Sequence, residues 1–128
     1  MPIGLDAIGL VTADISRSVD FYVVLGVPRP ESLEDPHVES TLPNGLRLMW
    51  DTEELIREID EGWEKPVGQR IGLAFACATP TEVDKTYAEV LAAGFKGYKE
   101  PWDAFWGQRY AQVVDPDGNH VDLFAPLE

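Results

Sequence analysis

The strongest constraint in this sequence is an internal repeat. Ala7 to Ala13 (AIGLVTA) opens an apolar run that leads to a helix pattern carrying Tyr22. Gly72 to Ala78 (GLAFACA) opens a second run that leads to Tyr87, at the same distance from its start. Each half then closes with a turn and a strand, Asn44 to Trp50 and Asp117 to Leu123. Halves of this size are marginal alone. They are expected to pack together and to present equivalent positions to one shared site.

At 128 residues, of which 45% are hydrophobic, the chain fits a single domain with an ordinary core. The domain is read as module 1 over about 3–50, a connector over 51–66 and module 2 over about 69–126. No apolar run approaches the roughly 20 residues that span a bilayer. The start has no basic segment followed by an apolar one. A soluble, cytoplasmic protein with no membrane partner is therefore expected. Cys77 is the sole cysteine, which excludes an intrachain disulfide and a cysteine metal cluster. Its place in an apolar strand reads as a structural thiol. The net charge of −13 argues against nucleic acid, which needs clustered Lys and Arg. It suits a solvated surface and a cationic ligand.

Residues 5–12 read as a strand, and Asp14 or Ser16 caps the helix that follows. Val19, Tyr22 and Val23 supply its apolar face and Gly26 its stop. Pro28 and Pro30 enforce a loop, and Val38–Leu42 and Leu46–Trp50 form a hairpin about Pro43-Asn44-Gly45, for which a type I′ turn is expected. Asp51 to Glu54 starts a connector helix with Leu55, Ile56, Ile59 and Trp63 on one face. Strand 71–78 is almost wholly apolar, as for a strand covered on both faces. Thr79-Pro80 starts a helix with Val83, Tyr87, Val90 and Leu91 inward and Gly94 as its end. Lys96–Trp102 is strand and loop, Gln108–Asp115 is a strand, and Val121–Phe124 returns after the turn at 115–119. The order is β-α-β-β-β, twice.

These residues resemble the vicinal oxygen chelate superfamily, which includes glyoxalase I, extradiol dioxygenases and bleomycin-resistance proteins. The first signature is Ala13-Asp14, Ser16, Ser18, Phe21-Tyr22 and Leu25-Gly26; the second is Trp106-Gly107, Arg109 and Asp115-Pro116-Asp117-Gly118-Asn119. The resemblance implies an α+β fold of two βαβββ modules whose mixed sheets curl around a shared cavity. It also implies a homodimer, since such modules pair across chains. In the superfamily's metal enzymes, ligands come from the first and last strands of each module. The matching positions here are Ala7, Met49, Gly72 and Asp122. Only Asp122 is a hard-metal ligand, whereas a divalent site needs three or more N, O or S donors. A rebuilt set of His37, His120 and Asp122 is the remaining metal alternative. The expectation is no metal and no cofactor.

Strand parity places Arg47 and Asp51 beside Met49, and His120 and Phe124 beside Asp122. The segment 101–107 adds Trp102, Phe105 and Trp106, and Tyr110 follows. In the resembling binding proteins, aromatic side chains grip planar or cationic drugs, and rings attract cations over their faces. The ligand-binding set is therefore Arg47, Met49, Trp102, Phe105, Trp106, Tyr110, Asp122 and Phe124, for a small aromatic or cationic molecule. No catalytic residue is assigned: the serines lack a nucleophile-elbow context and Cys77 has no cationic activator. The leading reading is a metal-independent binding protein of the antibiotic-sequestering kind. A metal-dependent lyase or dioxygenase with an atypical ligand set, and a regulatory or interaction module, are the alternatives.

Overall fold

The computed structural model describes residues 2–127. The chain divides into two compact units, Met1–Lys65 and Pro66–Glu128. The first contains β1 (Ala7–Thr12), α1 (Ile15–Val24), β2 (His37–Thr41), β3 (Arg47–Thr52) and α2 (Glu53–Ile59). The second contains β4 (Leu73–Ala76), α3 (Pro80–Ala92), β5 (Lys96–Ala104), β6 (Gln108–Val114) and β7 (His120–Pro126). This is the expected α+β class with βαβββ-like modules.

Each unit closes its sheet in the same way. The first strand pairs parallel with the last, and the strands between form antiparallel hairpins. The sheet orders are β1-β3-β2 and β4-β7-β6-β5. The first unit is one strand short. Its segment corresponding to β5 holds Pro28 and Pro30, which have no N–H to give to a ladder. The Ser40 hydroxyl donates instead to the Pro28 carbonyl (2.5 Å), so this segment is held by a side chain.

The helix ends follow from sequence chemistry. Asp14 accepts from the Arg17 N–H (3.2 Å), which makes it the cap, and Ser16 lies inside the helix. Thr79 accepts from the Glu82 N–H (3.2 Å), while the Glu82 carboxylate accepts from the Ala78 N–H (2.7 Å). Both helices stop at a left-handed glycine, Gly26 or Gly94, with the next residue's N–H returning to Tyr22 or Val90. The hairpin turns differ from the type I′ expected at Asn44-Gly45. Only Gly45 has positive φ; the Gly45 N–H donates to the Leu42 carbonyl, and Leu42 N–H to Leu46 (both 2.8 Å). The result is a turn entered through Pro43 and closed by a glycine bulge. Residues 115–119 repeat it with Gly118.

The cores lie between each sheet and its long helix. In the first unit Val19, Phe21, Tyr22, Leu48 and Trp50 are buried. The Trp50 indole N–H donates to the buried Ser18 hydroxyl (3.1 Å), so the largest core side chain is also satisfied. In the second unit α3 packs across β5, β6 and β7, burying Val83, Val90, Ala111, Val113, Val121 and Leu123.

Several local expectations need correction. Strand 71–78 shrinks to Leu73–Ala76, with Ala74 and Ala76 exposed, so it is not covered on both faces. Ile71 is exposed, and Cys77 lies just beyond the strand, half-buried. Leu91 is exposed and Tyr87 only half-buried on α3. Tyr87 instead reaches Gly97, where its ring occupies the space a Cβ would need. The connector helix ends at Ile59, so Trp63 lies outside it, and it buries no residue. Among the described residues, no helix is long and apolar enough to cross a membrane.

Candidate functional site

Strand alternation gives each sheet a helix-covered face and a second face. In the second unit Val121, Leu123 and Ala125 point to α3, so His120, Asp122 and Phe124 occupy the other side. Register sets Asp122 opposite Gln112, Phe124 opposite Tyr110, and Tyr110 opposite Trp102. Five of the eight sequence-predicted residues, Trp102, Trp106, Tyr110, Asp122 and Phe124, therefore meet on one face. The segment expected to be an aromatic loop is mostly strand: β5 runs to Ala104, and only Phe105, Trp106 and Gly107 form the turn.

The rings are arranged edge to face. Trp102 and Trp106 have centroids 6.1 Å apart at 90°, Trp102 and Tyr110 5.6 Å at 68°, and Trp106 and Tyr110 5.2 Å at 80°. Phe124 stacks behind Tyr110 at 6.4 Å and 27°. Phe105 packs edge-on to Trp106 at 5.1 Å but is almost wholly exposed, so it stands at the rim of the group. The Trp106 indole N–H is held by Gln108 (2.8 Å).

A polar floor supports the rings. The Tyr110 hydroxyl donates to Asp122 Oδ2 (2.5 Å), and Gln112 Nε2 donates to Oδ1 (3.0 Å). Burial, and then the bond to Asp122, push the Tyr110 phenol up to about 12, so it is a fixed donor at physiological pH. Lys99, opposite Gln112, lays its ammonium 4.3 Å from the Trp102 ring centre. Gln112 and Lys99 were missed from sequence; Gln112 follows from its parity with Tyr110. Lys99 is displaced from a simple count because β5 shifts register between Lys99 and Trp102.

The other two predicted residues are on the first unit, on the β-sheet face away from α1. Met49 lies between Gly9 and Glu39, and Arg47 between Ala7 and Thr41. Arg47 donates to Asp6 (2.7 Å) and to Glu39 (2.5 Å). His37 continues the chain, with Nε2 on Glu39 (2.7 Å) and Nδ1 on Asp51 (2.5 Å). These bonds, Glu39's first, raise the His37 pKa. The signature residue Arg109 faces α3. It grips both Asp84 oxygens (2.9 and 3.2 Å) and Asp103 (3.0 Å), tying the helix to β5 and β6. A cleft of about 420 Å³ in the first unit is rimmed by Asp14, Glu34 and Asp35 near Thr52. It contains none of the predicted residues.

The sequence profile of the Glyoxalase/Bleomycin resistance protein/Dioxygenase superfamily matches residues 4–123. The chain belongs to this superfamily. A glyoxalase/bleomycin resistance protein/dioxygenase from Nocardioides is 30% identical, with a TM-score of 0.79 over 100% of this chain and 86% of that one. A glyoxalase/bleomycin resistance protein/dioxygenase family enzyme from Burkholderia phytofirmans PsJN shares the fold at 23% identity, with a TM-score of 0.86 over 98% of this chain and 100% of that one. TioX from Micromonospora shares it at 19% identity and a TM-score of 0.65, over 97% and 99% of the two chains. No curated protein is recognisably similar to this chain.

The superfamily's metal positions do not fit a metal here. Of the expected positions Ala7, Met49, Gly72 and Asp122, register sets Arg47 rather than Met49 beside Ala7, and Ala74 rather than Gly72 beside Asp122, with Gly72 just ahead of β4. Ala and Gly offer no side-chain donor, a thioether is soft, and both Asp122 oxygens are already engaged by Tyr110 and Gln112. The alternative set is committed elsewhere too. His37 is bonded at both ring nitrogens, and the His120 ring packs against Tyr98, tilted at 35° with centroids 4.1 Å apart. Among the described residues, no group of three or more His, Cys, Asp or Glu is arranged to hold a metal ion. Burial is the main cause raising the Cys77 thiol pKa, which disfavours the thiolate.

Proposed function

We propose that this superfamily member is a metal-independent binding protein that holds a small aromatic or cationic molecule without converting it, as in antibiotic sequestration. The observation that carries this reading is the face built from Trp102, Trp106 and Tyr110, backed by Phe124 and standing on Asp122. Flat rings supply contact area at small entropic cost, and the carboxylate below favours positive charge above. The same reading includes a homodimer, which sedimentation analysis checks.

Thermal shift and equilibrium dialysis against bleomycin-like, mitomycin-like and simpler aromatic compounds test it, with recovered ligand analysed by mass spectrometry. Expected are stabilisation by at least one compound and its recovery unchanged. Trp102→Ala and Trp106→Ala should abolish that binding while costing under about 1 kcal/mol of stability, as for half-exposed positions. A chemically altered ligand, or binding indifferent to both substitutions, would overturn the reading. The lyase or dioxygenase alternative requires stoichiometric metal that is lost in Asp122→Ala, which elemental analysis measures.

A further inference from the structure

We propose that Trp102, Trp106 and Tyr110 form a three-walled corner for a methylated or quaternary ammonium group, and that Lys99 occupies one of its walls as a built-in competitor. This rests on the reading of the aromatic face as a ligand site. Three rings at 90°, 68° and 80° to one another, with centroids 5.2 to 6.1 Å apart, resemble three faces meeting at the corner of a box. A cation of radius suited to van der Waals contact can touch all three faces from such a corner. The three residues are partly open to solvent: Trp106 is 48% exposed, and Trp102 and Tyr110 are half-buried.

The chemistry of the walls selects the cation. Ring faces attract positive charge but accept hydrogen bonds poorly. A primary ammonium loses strong hydration there, whereas a methylated one is weakly hydrated and brings apolar surface. The Trp faces are the strongest walls, and the Tyr110 wall is reinforced because its hydroxyl donates to the Asp122 carboxylate and the ring becomes richer in electrons. Behind it stands the negative charge of Asp122 itself, and the net charge of −13 attracts cations from a distance.

Lys99 shows that the site accepts positive charge. Its ammonium lies 4.3 Å from the Trp102 ring centre, within cation–π range of that wall. A ligand must displace it, so Lys99 sets a threshold of affinity below which the corner stays closed to weak cations.

The intact protein would be titrated with choline and tetramethylammonium, and with 3,3-dimethyl-1-butanol as the uncharged isostere of choline. Indole serves as a neutral aromatic probe, and indole N–H signals of Trp102 and Trp106 are followed by NMR at constant ionic strength. Choline is expected to shift both signals saturably and to bind at least about 5-fold more tightly than the isostere. Lys99→Met should strengthen choline binding by about 2- to 5-fold. Equal binding of choline and its isostere would overturn the ammonium corner. Unchanged choline affinity in Lys99→Met would overturn the role of Lys99. Binding of indole without choline removes this inference and leaves the proposed function standing; binding of neither probe removes the inference and counts against both.

Discussion

The two halves share a frame and exchange the contents of their faces. In the first, the aromatic residues Phe21, Tyr22 and Trp50 are buried against the sheet, and the far face carries His37, Glu39, Arg47 and Asp51. In the second, the core under α3 is mostly Val, Ala and Leu, and the aromatics Trp102, Trp106, Tyr110 and Phe124 stand on the far face. A repeat with one strand rule thus yields a half whose rings are buried in its core and a half whose rings stand on the face away from its helix. Backbone pairing fixes which positions share a face. It leaves open which face receives the large rings, and that choice is what distinguishes the two halves.

The sharpest break of this contrast compares tryptophans. Trp50→Ala leaves a cavity and an orphaned Ser18 hydroxyl, and should cost about 3–5 kcal/mol by urea denaturation. Trp106→Ala should cost under about 1 kcal/mol in the same assay; similar losses at both sites would sink the contrast. Next comes Gly97→Ala. Its Cβ would overlap the Tyr87 ring, so a loss of about 1–3 kcal/mol is expected, smaller when Tyr87→Leu is added. No loss would show that Tyr87 moves aside freely. Ser40→Ala tests the missing strand of the first half. It leaves the Pro28 carbonyl without its donor and should cost about 1–2 kcal/mol. Full stability in that variant would show that this segment needs no tie.

The smallest effect is a pair of pH windows. His37 binds its proton more tightly when folded, through Glu39 first and Asp51 next. Its contribution is complete below about 6.5 and is lost as pH rises through the folded pKa. His37→Gln should flatten that slope in melting temperature. The phenol of Tyr110 is likewise raised, to about 12, by burial and then Asp122. Its contribution holds below about 10 and falls between about 10 and 12, a decline that Tyr110→Phe should remove. Slopes of the opposite sign would contradict the hydrogen bonds on which both arguments rest.

Much of this frame is legible in the residues. Asp14, Thr79-Pro80, Gly26 and Gly94 mark helix ends through local backbone chemistry, and parity alone puts Asp122 with Phe124 and His120. The aromatic group is visible as well, because Trp102, Trp106 and Tyr110 lie close in sequence. What escapes is whatever depends on distant packing. Nothing local announces that Tyr87 turns toward Gly97, or that Ala74 and Ala76 stay exposed in an apolar run. The turn at Asn44 misleads because Asn-Gly permits a type I′ turn, whereas Pro43 and the extra residue select a glycine bulge. Lys99 escapes because a bulge breaks the count of two along β5.

The parallel closure of each sheet bears on how the chain is made. β1 pairs with β3, and β4 with β7, across about 40 to 50 residues. The antiparallel partners are near neighbours joined by tight turns. Loop closure favours the hairpins first, so β2–β3 and β6–β7 form before either opening strand can dock. During synthesis the apolar first strand of each half emerges earliest and is satisfied last. Each half is therefore committed to its fold only when its final strand leaves the ribosome, and that interval is when the nascent chain is most exposed to wrong pairings.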